Sequence, residues 1–173
     1  MSPLSNRILS TLLALELNER AEAAHRCCGS KRWAQAFAEQ LEEVNNDSDL
    51  FHLAADIWSS MDELDILEAF THHPQIGADP EQLRARFKTT HTWSANEQSG
   101  MSEASDEVIE RLAKGNRDYL AKFGYIFIVC ATGKTAAQML ALLEARLPNL
   151  PADELKIAAA EQAKITQIRL EKL

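Results

Sequence analysis

The run His72-His73-Pro74-Gln75-Ile76-Gly77 holds the side chains of this sequence best suited to moving protons. Imidazole titrates near neutrality and serves as a general acid or base. A residue before proline is steered out of the helical region, so His73 is expected at a rigid helix exit, its ring held at a cavity wall. By residue type alone, a capping or surface role stays open for it. His72 is expected to be structural or exposed.

A second polar cluster is Ser94-Ala95-Asn96-Glu97-Gln98-Ser99-Gly100. Ser94 and Glu97 have the spacing of a capping box, which by itself accounts for them as a helix start. The functional alternative has Glu97 and Gln98 meeting a polar heterocycle. An acidic group near His73 would orient the ring, raise its pKa and favour the protonated form.

Other chemistries find no support. Adjacent histidines diverge on a helix, Cys27-Cys28 are side by side, and no metal-ligand spacing occurs, so no metal site is expected. Thr132-Gly133-Lys134-Thr135 looks like the end of a phosphate-binding loop, but position 128 is Ile where that motif needs Gly. Thr132 or Thr135 is better read as a helix cap. No Gly-x-Ser-x-Gly elbow is present, and Cys130 lies in the most apolar run, where burial blunts a thiol.

The elements that must position these groups are helical. Ile8, Leu9, Leu12, Leu13 and Leu17 mark a first stretch broken near Leu17-Asn18, and a second runs from about Glu19 to Cys28 with Gly29 as its stop. Ser30 is placed to cap a third carrying Trp33, Phe37 and Leu41, and residues 45–49 form a loop ending in a cap. Leu50 to Met61 repeat at helical spacing. Asp62 restarts a helix with Leu64, Leu67 and Phe70 inward, ending before Pro74. After a turn at Pro74 to Gly77, Asp79-Pro80 opens a short helix through Phe87. Thr89 to Met101 is ambiguous. A long helix ends at Gly124, and two more span about Thr135–Leu147 and Pro151 to the C-terminus, the last marked by Leu155, Ala159, Ile165, Ile168 and Leu170.

Composition agrees. The 173 residues include only 6 Gly and 5 Pro, about half the usual share, which leaves few turns for a sandwich or barrel. Hydrophobic residues at 46% and charged residues at 25% are those of a globular chain. The reading predicts an all-α, compact helical bundle forming one domain over residues 1–173. A net charge of -8 argues against nucleic acid and anionic membranes as partners. Three cysteines, an odd number, fit a reducing compartment. No apolar run reaches the ~20 residues of a membrane helix, and Glu171-Lys172-Leu173 only partly resembles a peroxisomal address, so the expected location is the cytoplasm.

One segment conflicts with the helical pattern. Tyr125-Ile126-Phe127-Ile128-Val129-Cys130 is rich in β-branched and aromatic residues, without helical alternation. It is read either as a buried core element or as an extended strand without a neighbour, whose backbone polar groups need partners that a planar ligand could supply.

Taken in order, these segments resemble the OHCU decarboxylase family (2-oxo-4-hydroxy-4-carboxy-5-ureidoimidazoline decarboxylases of urate breakdown). The likeness runs from Cys27-Cys28-Gly29-Ser30 and Trp33 through Leu67-Glu68-Ala69-Phe70 into His73-Pro74-Gln75-Ile76-Gly77. It continues through Glu97-Gln98-Ser99, Lys122-Phe123-Gly124, Phe127-Ile128-Val129-Cys130-Ala131, Arg146-Leu147-Pro148-Asn149 and Ile165-Thr166-Gln167-Ile168-Arg169. The double-Cys signature is most similar to the decarboxylase half of plant allantoin synthase.

The resemblance implies an all-α homodimer without metal or organic cofactor, acting on a small-molecule substrate to give (S)-allantoin and CO₂. It makes His73 the catalytic histidine and proton donor, with Glu97 orienting and tuning it, and puts Pro74 in the pocket wall. Ser94, Glu97 and Gln98 match the substrate-contacting run, and Phe127, Ile128, Val129, Cys130 and Ala131 a segment whose backbone contacts the heterocycle. Arg146 and Arg169 match the pattern without an assigned place, and the spacer from His73 to Glu97 is longer than in relatives. Functional coupling to a 5-hydroxyisourate hydrolase is a further implication. The competing class is a non-catalytic helical ligand-binding or interaction module on the same scaffold, free to lose His73, Glu97 and Gln98.

Overall fold

We describe the protein from a computed structural model, covering residues 5–74, 77–94 and 105–173, without the side chains of 88–94. The described residues contain helices and no strand: α1 (Arg7–Leu13), α2 (Leu17–Cys27), α3 (Lys31–Gln40), a single 3₁₀ turn (Leu41–Glu43), α4 (Asp47–Ser59), α5 (Glu63–Thr71), α6 (Pro80–Ser94), α7 (Asp106–Phe123), α8 (Ala136–Arg146) and α9 (Pro151–Glu171). None is long and apolar enough to cross a membrane. The all-α expectation holds.

Local signals start and stop most of these helices. Ser30, Asn46, Asp62 and Ser105 accept backbone N–H bonds at the first turns of α3, α4, α5 and α7. Thr135 forms a reciprocal capping box with Gln138 at the start of α8. Gly124 ends α7 at φ 83°, the left-handed conformation that glycine adopts without penalty. Helix α1 lacks a cap of its own. Asp47, far along the chain, instead accepts from the N–H groups of Ile8 and Leu9.

The chain packs as two compact units. The first comprises residues up to His73 together with Ala159–Leu173. Its core holds Leu12, Trp33, Phe37, Leu41 and Leu50, with the Trp33 and Phe37 rings stacked 5.0 Å apart. The Trp33 indole donates to Ala54 O and the Trp58 indole to Ala159 O, at 3.0 and 2.9 Å. Buried Arg20 donates to the carbonyls of Leu12, Leu15 and Ala38, satisfying acceptors where α1 and α3 end. The second unit, Pro74–Ala158, centres on Ile109, Leu112, Tyr119, Leu140 and Leu143.

Several expectations are corrected. The first break falls at residues 14–16, before Leu17. Gly29 does not end α2 through a positive φ, since Gly124 and Gly133 alone have one among the described residues. It is small because of a neighbour: a Cβ there would lie 2.5 Å from His72 Cγ. Leu64 is 78% exposed, because the inner face of α5 is set by Asp65, Ala69 and Phe70, one position around. Helix α6 continues past Phe87 to Ser94. The stretch Tyr125–Cys130 is in neither a helix nor a paired strand, in agreement with the reading of it as an unpaired segment.

Candidate functional site

His73 follows directly from how α5 ends. Its N–H still donates to Phe70 O at 3.3 Å, and the proline after it turns the chain out of the helix. The ring is half-buried, and its Nε2 lies 2.5 Å from Gln162 Oε1 of α9. The Gln162 amide in turn donates to Thr166 Oγ1 at 3.1 Å, one helical turn on. Burial, the largest influence, pushes the imidazole below its ordinary pKa. The bond to Gln162 opposes this, while Arg169 and His72 add to it. The expected protonated ring depended on Glu97, outside the described residues. The described surroundings favour the neutral form. His72 is exposed, as expected, with its ring edge-on to His25 at 4.9 Å.

Around this imidazole the first unit is apolar and chemically quiet. Burial raises the Cys27 and Cys28 thiols to about 11, so both stay protonated at neutral pH. Arg169 donates to Cys27 O at 3.3 Å. A cavity of about 150 Å³ opens beside Trp33, Ala54, Trp58, Ala163 and Leu170, with Thr166 in its wall. None of the candidate catalytic or substrate-binding residues lines it.

In the second unit the structure accounts for part of the extended segment. Ile128 and Cys130 are buried and Phe127, Val129 and Ala131 half-buried. The backbone does find partners. Ile128 O accepts from Arg146 Nη1 at 2.8 Å and Cys130 O from Lys134 Nζ at 2.7 Å. Arg146 is held by fully buried Glu154, whose Oε2 accepts from Nε at 2.8 Å and Nη2 at 2.5 Å. The Tyr119 hydroxyl donates to the same oxygen, and Asn149 Nδ2 donates to Oε1 at 3.1 Å. The Arg146 guanidinium also lies 4.5 Å from the centre of the Phe127 ring. Burial and the neighbouring carboxylate push the Tyr119 phenol far up, so it remains a donor.

The remaining candidates are placed more simply. Pro74 is exposed next to His73. Ser94 is the last residue of α6, so its backbone ends a helix where the capping reading required it to begin one. Glu97 and Gln98 lie outside the described residues. Among the described residues no group of His, Cys, Asp and Glu side chains could hold a metal ion.

Gln162, Thr166, Glu154 and Tyr119 escaped the sequence reading. The apolar residues of α9 pointed to one face, yet the buried stripe is Glu154, Ala158, Gln162, Thr166 and Leu170. That strict four-residue spacing was the available signal, obscured because three of the five positions are polar.

A sequence model described as OHCU decarboxylase matches residues 14–171. The chain is 38% identical over 164 residues to the uric acid degradation bifunctional protein TTL of Arabidopsis thaliana, covering 93% of this chain and 48% of that protein. It is 29% identical over 99 residues to the 2-oxo-4-hydroxy-4-carboxy-5-ureidoimidazoline decarboxylase of Amia calva, covering 57% and 55%. The chain thus spans about half the length of the curated relatives it matches. A crystal structure of OHCU decarboxylase in the presence of (S)-allantoin superposes with a TM-score of 0.62 at 37% identity, covering 86% of this chain and 94% of that one. A crystal structure of (S)-allantoin synthase, at TM-score 0.71 and 22% identity over 95% and 53%, shares the fold.

Proposed function

The chain belongs to the OHCU decarboxylase family, and we propose that it decarboxylates 2-oxo-4-hydroxy-4-carboxy-5-ureidoimidazoline to (S)-allantoin and CO₂ in urate degradation. The observation that carries this reading is the His73 imidazole, fixed at the exit of α5 by Gln162 and kept neutral by burial.

The substrate suits such a site. Its carboxylate sits on a carbon that also bears a hydroxyl and adjoins a C=N bond. When the bond to the carboxylate breaks, the electron pair forms a C=C bond and the imine pair moves onto nitrogen, which takes a proton. CO₂ leaves. The resulting enol then loses its hydroxyl proton and gains one on the ureido-bearing carbon, on one face. The substrate holds its own electron sink, so the protein has to bind the ring rigidly and move protons. A neutral imidazole accepts the hydroxyl proton and returns one to carbon.

In this reading Glu97 orients and tunes His73, Ser94 and Gln98 bind polar groups of the substrate, and Pro74 lines the pocket. The Phe127–Ala131 segment, braced at Ile128 by Arg146, presents backbone to the heterocycle. The protein acts as a cytoplasmic homodimer, coupled functionally to a 5-hydroxyisourate hydrolase that supplies its substrate. Light scattering of the purified chain tests the dimer.

The deciding assay generates the unstable substrate from urate in situ and follows the rate and handedness of allantoin formation. His73→Asn should lower turnover by about 10²–10⁴-fold with an unchanged circular dichroism spectrum. Racemic product at the spontaneous rate from the wild-type protein, or full activity in the variant, refutes the reading.

A further inference from the structure

We propose that Gln162 is the positioning residue that sets the tautomer of His73, holding the proton on Nε2 and leaving Nδ1 as the nitrogen that exchanges protons with the substrate. The assignment of Nδ1 rests on the catalytic reading above. The tautomer itself rests on geometry alone.

A carbonyl oxygen has no proton to give, so the 2.5 Å contact between Gln162 Oε1 and His73 Nε2 requires Nε2 to donate. The amide could satisfy this position by its NH₂ group if it were turned over, and its other end decides between the two. Gln162 Nε2 donates to Thr166 Oγ1 at 3.1 Å, and this bond, one helical turn along α9, turns Oε1 toward His73. The relay Thr166–Gln162–His73 is therefore directional.

The relay is also well placed to hold its direction. Gln162 is fully buried, Thr166 is 6% exposed, and both lie on the inward stripe of α9. A buried amide with both ends bonded pays for rotation with two lost hydrogen bonds. Among the described residues no hydrogen bond engages Nδ1, so the relay occupies one ring nitrogen and leaves the other for chemistry. The charged and titratable groups acting on the ring from the described elements are Arg169 of α9 and His72 at the end of α5. Arg169 offers no acceptor, and among the described residues no hydrogen bond joins His72 to the His73 ring.

The test is ¹⁵N NMR of histidine-labelled protein near neutral pH, with the signals of the five histidines assigned to His73 by their loss in His73→Asn. The wild type should show a protonated Nε2 and an unprotonated Nδ1. Gln162→Met, close in shape but without the acceptor, should convert this to a mixture of tautomers and lower kcat by 10-fold or more while KM changes little. Gln162→Glu keeps an acceptor at the same place. It should preserve the Nε2 proton, retain much of the turnover and move the kinetic pKa upward. Should Gln162→Met fail to fold, Thr166→Val removes the anchor of the amide and should produce the same mixing in milder form. A wild-type ring protonated at Nδ1, or Gln162→Met with tautomer and kcat unchanged, overturns the inference. A protein with the Nε2 proton in place but no activity toward the substrate would instead refute the proposed function and leave the tautomer assignment standing.

Discussion

The Glu154 carboxylate is the sharpest point of stress in the second unit. It is fully buried, accepts from Arg146 through Nε and Nη2, and also accepts from Tyr119 and Asn149. Glu154→Gln keeps the shape and one acceptor but removes the charge. Arg146, itself only 7% exposed, then remains as a buried cation with neutral partners. Breaking a buried pair from one side costs about 3–5 kcal/mol, because the surviving charge has lost both water and partner. For a chain of this size, about 3 kcal/mol lowers Tm by roughly 6–12 °C. Removing both charges together, as in Arg146→Met with Glu154→Leu, leaves no stranded ion. What it forfeits is the donor to Ile128 O and the acceptor for Tyr119, about 1–3 kcal/mol each, together with the acceptor for the less buried Asn149 amide. The double variant should therefore be more stable than Glu154→Leu alone, and the two single losses should fail to add by several kcal/mol. Urea denaturation of Glu154→Gln and of the four proteins of the cycle (wild type, Arg146→Met, Glu154→Leu and the double variant), read at constant m, measures this. A cost below about 1 kcal/mol for Glu154→Gln, or simple additivity in the cycle, refutes the account of Arg146 as a charge held in place by Glu154.

Two further outcomes follow from the first unit. Gly29→Ala puts a methyl group 2.5 Å from His72 Cγ, an atom near the backbone that cannot swing away cheaply. It should destabilise by about 1–3 kcal/mol in thermal melts and lower kcat, by displacing the residue next to His73. Stability should also fall in acid in two separate steps. The folded His73 resists protonation, so the unfolded chain binds that proton first, and stability declines as pH drops below the ordinary imidazole value of 6.5 toward the folded one. For Asp47, burial opposes ionisation, but the bonds from Leu9, Ile8 and Ser5 outweigh it and lower its pKa. Its contribution is intact above the ordinary 3.8 and is lost as pH falls below that. Urea midpoints against pH should lose the upper step in His73→Asn and the lower in Asp47→Asn; unchanged slopes would show that these groups do not carry it.

The helices were legible because their signals are local. Ser30, Asp62, Thr135 and Gly124 act on backbone within a few residues, and each works where its type and position implied; the loop expected over 45–49 is shorter, because Asn46 already caps α4 and residues 47–49 are its first turn. His73 was legible for the same reason, since the proline beside it dictates the helix exit. Its partner was not. Gln162 is 89 residues away, and glutamine on a helix is ordinarily a solvent-facing residue. Gly29 misled because a glycine after a helix usually marks backbone conformation, whereas here it marks the closeness of a side chain arriving from α5. Leu64 misled in the opposite sense: an apolar residue at helical spacing lies outside the buried face because a charged neighbour, Asp65, takes the inward position and accepts from Arg32 at 2.6 Å. Arg146 could be matched to a pattern but not placed, since its role exists only once Glu154 and Ile128 surround it.

The first unit is also discontinuous, and this bears on the order in which the molecule can be made. Its first 73 residues leave the ribosome well before residues 159–173, which supply Gln162, Thr166 and the carbonyl that binds the Trp58 indole. Until those last residues are synthesised, α4 and α5 have no α9 to pack on, and His73 has no acceptor for its Nε2 proton. Vectorial synthesis can shape α1 to α5 locally but must leave this unit open while the whole second unit is translated. A chain that stops before residue 159 would carry His73 without Gln162, its hydrogen-bond partner in the folded unit.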